Sequence, residues 1–370
     1  MATGSARLSP EPTDLFWSLK ARVHAMLADR AGSRRAALAH YVKATVLFAG
    51  FAVSYTVVVQ SKTTSCLLLG SISTGIALAG LAFNVQHDGG HGAFSDRAWA
   101  NRAAARVLDC LGMSSYLWRW KHNHLHHSSP NVEGIDNDLD TSQLLRLHPE
   151  QRLHPWHRFQ HVYCWFLYPF ATLKWALFSD IRELWRGRIG GFAFPAMEAD
   201  AVLGFWLSKA LFISWAFTLP SLALGAGRGL VFFLVFQMTG GFIAALTFQL
   251  AHAVEEAEHL CLAALPDLSW SERQLASTVD FRLGPVLQWF AGGLNHQAAH
   301  HLFPGLRHTY YPRVALLLEA EARKHGVSYR CGRSLSYQVR SHYRFLRGLG
   351  NSDSSVRDRS RCLEQRKNSL

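Results

Sequence analysis

Histidines gathered in four short stretches are the residues of this 370-residue chain that point most clearly to chemistry. The stretches read HDGGH, KHNHLHH, QLAHAVEEAEH and NHQAAHH. Packing does not require so many imidazoles at such close spacing, whereas neutral imidazole is the commonest side-chain ligand of transition metals. The pattern therefore predicts a metal centre. Its candidate ligands are His87, His91, His122, His126, His127, His252, His300 and His301.

The spacing within each stretch indicates how these side chains would meet. His87 and His91 are four residues apart, as are His122 and His126, which places each pair on one face of a helix. His127 is turned by about 100° from His126 and would reach a second metal. Structural zinc usually has four ligands that often include cysteine, so eight imidazoles without a cysteine indicate two metals. The ligand type leaves iron, zinc, copper and nickel open.

Three further polar residues accompany the candidate ligands. Gln297 shares a helix face with His300 and His301, so its amide oxygen would bind a metal or hold a water on it. His124 and His296 lie off the faces that carry the ligands. We expect His124 to be a hydrogen-bonding neighbour of the cluster.

Four apolar stretches approach the roughly 20 residues that cross a bilayer. They run near 43–60, 66–86, 202–223 and 229–251. A short turn joins the first to the second and the third to the fourth, so each pair predicts a helical hairpin. The alternative, core helices of a soluble protein, would need a very large core around them. A fifth apolar stretch, 162–178, contains Pro169 and Lys174 and is predicted to lie in the membrane interface.

The formal net charge of +12 fits nucleic acid, anionic lipid or an acidic partner. Lys and Arg are spread over three non-membrane segments and form no single stripe, which favours the lipid surface and argues against nucleic acid. Because Lys and Arg lie in these three segments and are almost absent from the two hairpin turns, both termini, the central segment and the histidines are predicted to lie in the cytosol. Lys209, inside the third stretch, is expected to extend its charged end to the interface. The predicted fold is an all-α integral membrane protein: four spans in two hairpins, with a cytosolic helical cap that carries a di-metal site.

The motifs HDGGH, WKHNHLHHSSPN and GGLNHQAAHHLFP, with His252 after the fourth stretch, resemble the three histidine boxes and the additional histidine of membrane fatty acid desaturases. The glutamine that opens the third box is similar to that of the linoleoyl-CoA or front-end type. The resemblance covers roughly residues 40–347. It predicts a cytosolic N-terminal segment (1–40), a desaturase domain (41–347) and a disordered tail (348–370).

The resemblance implies a non-haem di-iron centre held by the eight histidines, with O₂ as the oxidant. It also implies a long-chain acyl substrate, carried by CoA or by a lipid, that gains a cis double bond. Two electrons would come from a separate donor such as cytochrome b5, or ferredoxin with its reductase, because HP occurs only in LHPE and LHPW and no HPGG haem motif is present. The composition, rich in Ala, Gly and Arg, favours a bacterial inner membrane over the endoplasmic reticulum.

Residues beside the boxes have supporting roles in this interpretation. Four of them would hold the N–H groups of ligand imidazoles, with ordinary turn or capping roles as the alternative: Asp88, Asn123, Asp136 and Asp138. Four that precede the second box would contact the substrate head group or anchor the chain at the interface: Trp118, Arg119, Trp120 and Lys121.

Two other functions fit part of the pattern. An acyl hydroxylase or acetylenase would use the same boxes, including on a chain borne by an acyl carrier protein, because a small shift of the substrate changes the product. A metal transporter would carry ionisable residues inside its spans, where ions pass, and the four apolar stretches contain almost none.

Overall fold

The computed structural model of the protein describes residues 15–262, 265 and 268–351. Within these residues the chain is built almost entirely of helices. They are α1 (Leu15–Leu27), α2 (Arg30–Val59), α3 (Thr64–Leu81), α4 (His87–Gly90), α5 (Ala98–Ala105), α6 (Val107–Cys110), α7 (Ser115–Arg119), α8 (Gln160–Leu167), α9 (Ala171–Lys174), α10 (Asp180–Arg186), α11 (Ala199–Ile213), α12 (Leu219–Leu224), α13 (Ala226–His252), α14 (Trp270–Ser277), α15 (Pro285–Phe290), α16 (Gln297–Leu302), α17 (Tyr311–Lys324) and α18 (Leu335–Leu349). The predicted tail lies outside the described residues from 352 onward, as do residues 1–14 of the predicted N-terminal segment.

Four helical segments are long and apolar enough to cross a membrane, as the sequence predicted. They are the first span (Arg34–Val59), the second span (Thr64–Gly90), the third span (Ala199–Leu224) and the fourth span (Ala226–His252). Two of them contain a π-helical turn, Ala82–Gln86 between α3 and α4 and Ser214–Thr218 between α11 and α12. Large apolar side chains point outward along the spans, with Leu69 66% and Leu222 78% exposed, as expected of surfaces that face lipid.

Small residues let the spans approach closely. A Cβ atom on Gly75 of the second span would lie 2.6 Å from the carbonyl oxygen of Phe236 in the fourth span. Such close approach of backbones is how membrane helices gain packing energy without a hydrophobic driving force between them. At the far end, Arg228 Nη2 donates to the Ser61 carbonyl at 2.8 Å, which joins the two hairpin turns. The other ends of the second and fourth spans carry His87 and His252.

The segment 160–186 is broken into short pieces and is not one of the four candidate spans, as the sequence predicted. A 3₁₀ turn at Tyr168–Phe170 and a π-helical turn at Trp175–Ser179 interrupt α8, α9 and α10. Phe166 is 72% exposed and Phe178 66%, so apolar side chains remain available to a membrane interface. The inner side packs on the fourth span, where Thr172 Oγ1 donates to the Gln237 carbonyl at 3.2 Å.

The prediction for Lys209 was wrong. Its side chain does not extend to the interface but is buried between the third span and the segment 160–186. Its ammonium group donates to the carbonyl oxygens of Gly112 and Ala176 at 2.5 and 2.6 Å, and lies 3.5 Å from Asp180 Oδ2. The buried Asp180 carboxylate also accepts the Ser114 N–H at 2.6 Å. These backbone and side-chain acceptors therefore compensate the buried ammonium charge of Lys209, so the side chain does not have to extend to water.

The remaining elements form the cap over the histidine end of the spans. Two short strand pairs belong to it, antiparallel β1 (Arg188–Ile189) with β2 (Phe192–Ala193), and parallel β3 (Asp280–Phe281) with β4 (Cys331–Gly332). The N-terminal α1 packs on α17 through Leu19 and Leu318, and Arg22 Nη1 binds Glu321 Oε1 at 2.7 Å. The predicted fold class is confirmed, with the addition that α1 is part of the cap.

Candidate metal centre

The second histidine box departs from the α-helical spacing that the sequence analysis assumed. Residues Trp120–His126 form a π-helix, and the His127 N–H donates to the His122 carbonyl at 2.9 Å. This five-residue repeat brings His122 and His127 to the same side, with their Nε2 atoms 3.2 Å apart. Single π-helical turns are rare and often occur at functional sites. The α-helical spacing expected for this box, with His122 and His126 on one face and His127 turned away from them, was therefore wrong, whereas the metal that each imidazole binds stays a prediction.

The ligand atoms fall into two groups. His87, His91, His122 and His300 offer nitrogen atoms that all lie within 4.8 Å of one another. The second group, with the same spread, consists of His126, His252 and His301.

His127 lies between the groups. Its Nε2 is 3.0 Å from His300 Nε2, and its ring stacks on that of His301 with centroids 4.3 Å apart. All eight predicted ligands therefore converge, although they come from four separate regions of the chain.

The donor chemistry fits metal ions. Two nitrogen ligands bound to one ion at about 2.1 Å lie roughly 3.0–3.4 Å apart, close to the separations of His127 from His122 and His300. The Nε2 atoms of His87 and His91 are buried without a hydrogen-bond partner. Burial, and then the neighbouring imidazoles, lowers the pKa of five histidines outside the spans: His91, His122, His127, His300 and His301. These rings are therefore neutral, as metal ligation requires.

Several ligand rings are oriented through Nδ1, which leaves Nε2 facing the cluster. His300 Nδ1 lies 3.1 Å from the Tyr311 hydroxyl, His301 Nδ1 lies 2.8 Å from Gln274 Oε1, and His252 Nδ1 lies 3.2 Å from a backbone carbonyl oxygen. Such partners fix the tautomer and the ring orientation of a ligand. Tyr311 and Gln274 were missed by sequence reasoning because each lies outside the boxes.

Asp136 is the carboxylate that holds His126. Its Oδ2 lies 3.0 Å from His126 Nδ1 and accepts the Asn131 N–H at 2.9 Å. Burial opposes the charge of His126, but Asp136 and then Asp138 outweigh it and raise the pKa of this imidazole to about 9. Asp138 Oδ2 is 3.5 Å from His126 Nδ1, and its side chain is half exposed. A carboxylate that accepts a hydrogen bond from Nδ1 therefore suits His126 for binding a metal through its other ring nitrogen, Nε2.

The other predicted neighbours have varied positions. The amide nitrogen of Gln297 lies 3.1 Å from His252 Nε2, and its oxygen is buried without a hydrogen-bond partner. Asn123 donates to the Gly90 carbonyl at 3.1 Å and so supports the first box. The structure brings neither His124 nor His296 to the cluster. The ring of His124 is exposed and stacks on Trp120, and Nδ1 of His296 lies 3.8 Å from Asp280 Oδ2.

Asp88 binds no ligand imidazole through its side chain. Its Oδ2 lies 2.9 Å from His308 Nδ1, and Lys43 Nζ lies 3.0 Å from His308 Nε2. His40 completes this second buried cluster, with Nδ1 3.7 Å from Asp88 Oδ2. The cluster ties the first span to the first box and to the chain after the third box. Sequence reasoning missed His40, Lys43 and His308, because each is an isolated polar residue whose spacing relates to no other.

A cavity of about 330 Å³ reaches the metal centre at His122. Leu167, Phe170 and Phe248 form part of its apolar wall, which comes from the segment 160–186 and the fourth span. Two of the four predicted head-group residues, Trp118 and Lys121, line this cavity, whereas Arg119 and Trp120 do not.

Lys121 Nζ lies 3.1 Å from Glu183 Oε1, which gives the cavity a polar edge. An apolar cavity with a few polar groups at its edge suits an amphipathic ligand.

A buried imidazole cluster at the ends of membrane spans, beside an apolar cavity, defines a candidate membrane metalloenzyme. The fatty acid desaturase family matches residues 63–333 of the chain. An sn-1 linoleoyl-lipid 6-desaturase of Arthrospira platensis is 31% identical over 352 residues, which cover 94% of each chain. The enzyme of the same name from Synechocystis sp. is 35% identical, over 77% of this chain and 81% of its own.

An acyl-lipid (8-3)-desaturase of Physcomitrium patens is 29% identical over 81% of this chain and 64% of its own. The chain belongs to the fatty acid desaturase family. It is an oxidoreductase of lipid metabolism that acts on fatty acyl groups.

Proposed function

We propose that the protein is an O₂-dependent desaturase that inserts a cis double bond into a long-chain acyl group, using two iron ions bound by its eight clustered histidines. The single observation that carries this proposal is the convergence of all eight imidazoles, seven in two adjoining groups and His127 between them, with His122 lining an apolar cavity. Imidazole nitrogen donors in this number fit two transition-metal ions.

Iron is favoured because of the reaction. Side-chain acids, bases and nucleophiles cannot break an unactivated C–H bond, so a bound redox metal must supply that chemistry. The residues of the chain would bind and orient it, because His126 is held by Asp136, His300 by Tyr311 and His301 by Gln274.

The overall reaction balances with an external electron donor. Two adjacent CH₂ groups lose one hydrogen atom each and become a CH=CH unit. O₂ takes up these two hydrogen atoms, two protons from water and two electrons from the donor, and leaves as two water molecules. We propose cytochrome b5 or a ferredoxin with its reductase as the donor.

The cavity supports an acyl group as the substrate. Its apolar wall suits a hydrocarbon chain, while Lys121 and Glu183 would meet the polar end. We infer that the acyl chain is esterified to a membrane lipid. The cavity is lined by residues near the histidine end of the fourth span, and the relatives named above act on lipid-linked acyl chains. Both termini and the metal centre would lie in the cytosol, and the membrane would be a bacterial inner membrane.

Expression in a host of defined lipid composition, with a competent electron donor, tests this proposal. Gas chromatography with mass spectrometry should show a new monoenoic or polyenoic acyl species, and the purified protein should contain about two iron atoms per chain. His126→Ala should abolish the product. His124→Ala is the matched control, because it alters an imidazole two residues away whose ring stacks on Trp120 outside the cluster. A hydroxylated product, or zinc in place of iron, would refute the proposal.

A further inference from the structure

One ligand of the metal centre differs from the others in its exposure. Seven are buried: His87, His122, His126, His127, His252, His300 and His301. His91 is only partly buried, although its Nε2 atom is enclosed and faces the cluster without a hydrogen-bond partner. Among the eight predicted ligands, His91 is therefore the residue with the most solvent exposure.

The surface beside His91 is held in a fixed shape. Asn101 donates to the Gly92 carbonyl at 3.0 Å and accepts the Ser95 N–H at 2.7 Å, so the loop after the first box is fastened to α5. A Cβ atom on Gly89 would lie 2.5 Å from the Ala105 backbone nitrogen, which shows that the end of α5 lies directly against the box. Side chains near this end of α5 therefore lie beside the exposed ligand.

These side chains are basic and outnumber the carboxylates beside them. We call four exposed residues the arginine face: Arg97, Arg102, Arg106 and Arg119. None of the four forms an ion pair with a carboxylate among the described residues. Asp96 binds Arg307 at 2.7 Å. Asp109 accepts the Ser115 N–H at 2.8 Å and partly offsets the charge of Arg106, so the arginine face keeps an excess of positive charge.

A second basic surface of the cap, which includes α18, differs because two of its arginines pair with carboxylates. Arg344 on α18 lies 3.8 Å from Glu255, and Arg330 pairs with Glu258. The ligand nearest in sequence to these glutamates, His252, is buried. Among the described residues, the arginine face therefore combines a partly exposed ligand with exposed basic side chains beside it that form no ion pair.

We propose that the arginine face is the docking surface of an acidic one-electron carrier protein, and that the His91 imidazole is where its electrons enter the metal centre. This rests on the proposed function, which consumes two electrons for each double bond. A carrier that delivers one electron at a time must dock twice per turnover. Charge complementarity raises the encounter rate and orients the partner.

The test uses the full chain in nanodiscs of phosphatidylcholine, which carry no net charge. The probe is an acidic plant-type [2Fe–2S] ferredoxin with its reductase. The double variant Arg102→Gln with Arg106→Gln should raise the KM for ferredoxin by at least about tenfold at low ionic strength. Ferredoxin binding to the same metal-loaded protein, measured by biolayer interferometry without reductant, should weaken by a similar factor. Turnover with dithionite as reductant should not change, because the small reductant does not use the docking surface.

Arg340→Gln with Arg347→Gln is the matched control, since it removes the same charge from exposed positions on α18. Equal losses in both double variants would overturn the proposal, because the net charge of the protein would then explain them. Unchanged ferredoxin binding in the first double variant would also overturn it, as would a loss that appears only in nanodiscs containing anionic lipid, where the arginines would be lipid contacts. Product formation by the unaltered protein with dithionite tests the proposed function separately.

Discussion

Replacement of Lys209 by methionine tests whether the buried clamp formed by Lys209 and Asp180 acts as a charge pair. Methionine keeps the length and most of the apolar stem but removes the ammonium group. The carbonyl oxygens of Gly112 and Ala176 then lose their donor, and Asp180 is left buried without its cation. Breaking a buried pair on one side costs about 3–5 kcal/mol, most of it from the uncompensated charge. Lys209→Met should therefore lower the free energy of unfolding by about that amount.

Unfolding in mixed micelles with increasing sodium dodecyl sulfate, followed by far-ultraviolet circular dichroism, measures this loss. Asp180→Asn in the Lys209→Met background should recover about 1–3 kcal/mol, since the double variant has no unpaired charge. Lys62→Met, in the exposed turn of the first hairpin, is the matched control and should change stability by less than about 0.5 kcal/mol. If Lys209→Met costs no more than Lys62→Met, or the second substitution adds to the loss, the clamp does not act as a charge pair.

Three further predictions concern the site. Asp136→Asn should weaken iron binding by about 10- to 100-fold, measured by competition with a chelator, while Asp138→Asn should change it less because that carboxylate is half exposed. Gly89→Ala should reduce activity and iron content together, because the new Cβ would meet the Ala105 backbone; Gly50→Ala, which meets nothing within 4 Å, is its control. Lys121→Met should raise the KM for the lipid by about three- to tenfold, as loss of a charged contact worth about 1 kcal/mol implies, and an unchanged KM would remove Lys121 from the substrate site.

Much of the architecture could be predicted from local patterns. Long apolar runs specify spans, and the unequal distribution of Lys and Arg predicts which ends lie together, so the two hairpins and the shared position of His87 and His252 follow from the sequence. The convergence of the boxes was predictable as well, because each box contains its own pair of imidazoles and follows or precedes a span.

Other features depend on contacts that one sequence does not encode visibly. The π-helical repeat of the second box was missed because nothing in WKHNHLH distinguishes it from an α-helix. The burial of Lys209 depends on carbonyl oxygens of Gly112 and Ala176, which lie 97 and 33 residues away. Residues such as Gln274 and Tyr311 have ordinary sequence surroundings and become important only when the fold places them behind a ligand.

The position of His127 between the two histidine groups has a consequence for assembly of the centre. One imidazole nitrogen lies within 3.2 Å of His122 and 3.0 Å of His300, and its ring stacks on His301 from the second group. Because the His127 ring contacts both histidine groups, a shift of this ring toward a metal in one group also changes its contacts with the other group. Filling is therefore expected to be cooperative, so that partial supply of metal would favour empty and complete chains over chains with a single occupied position.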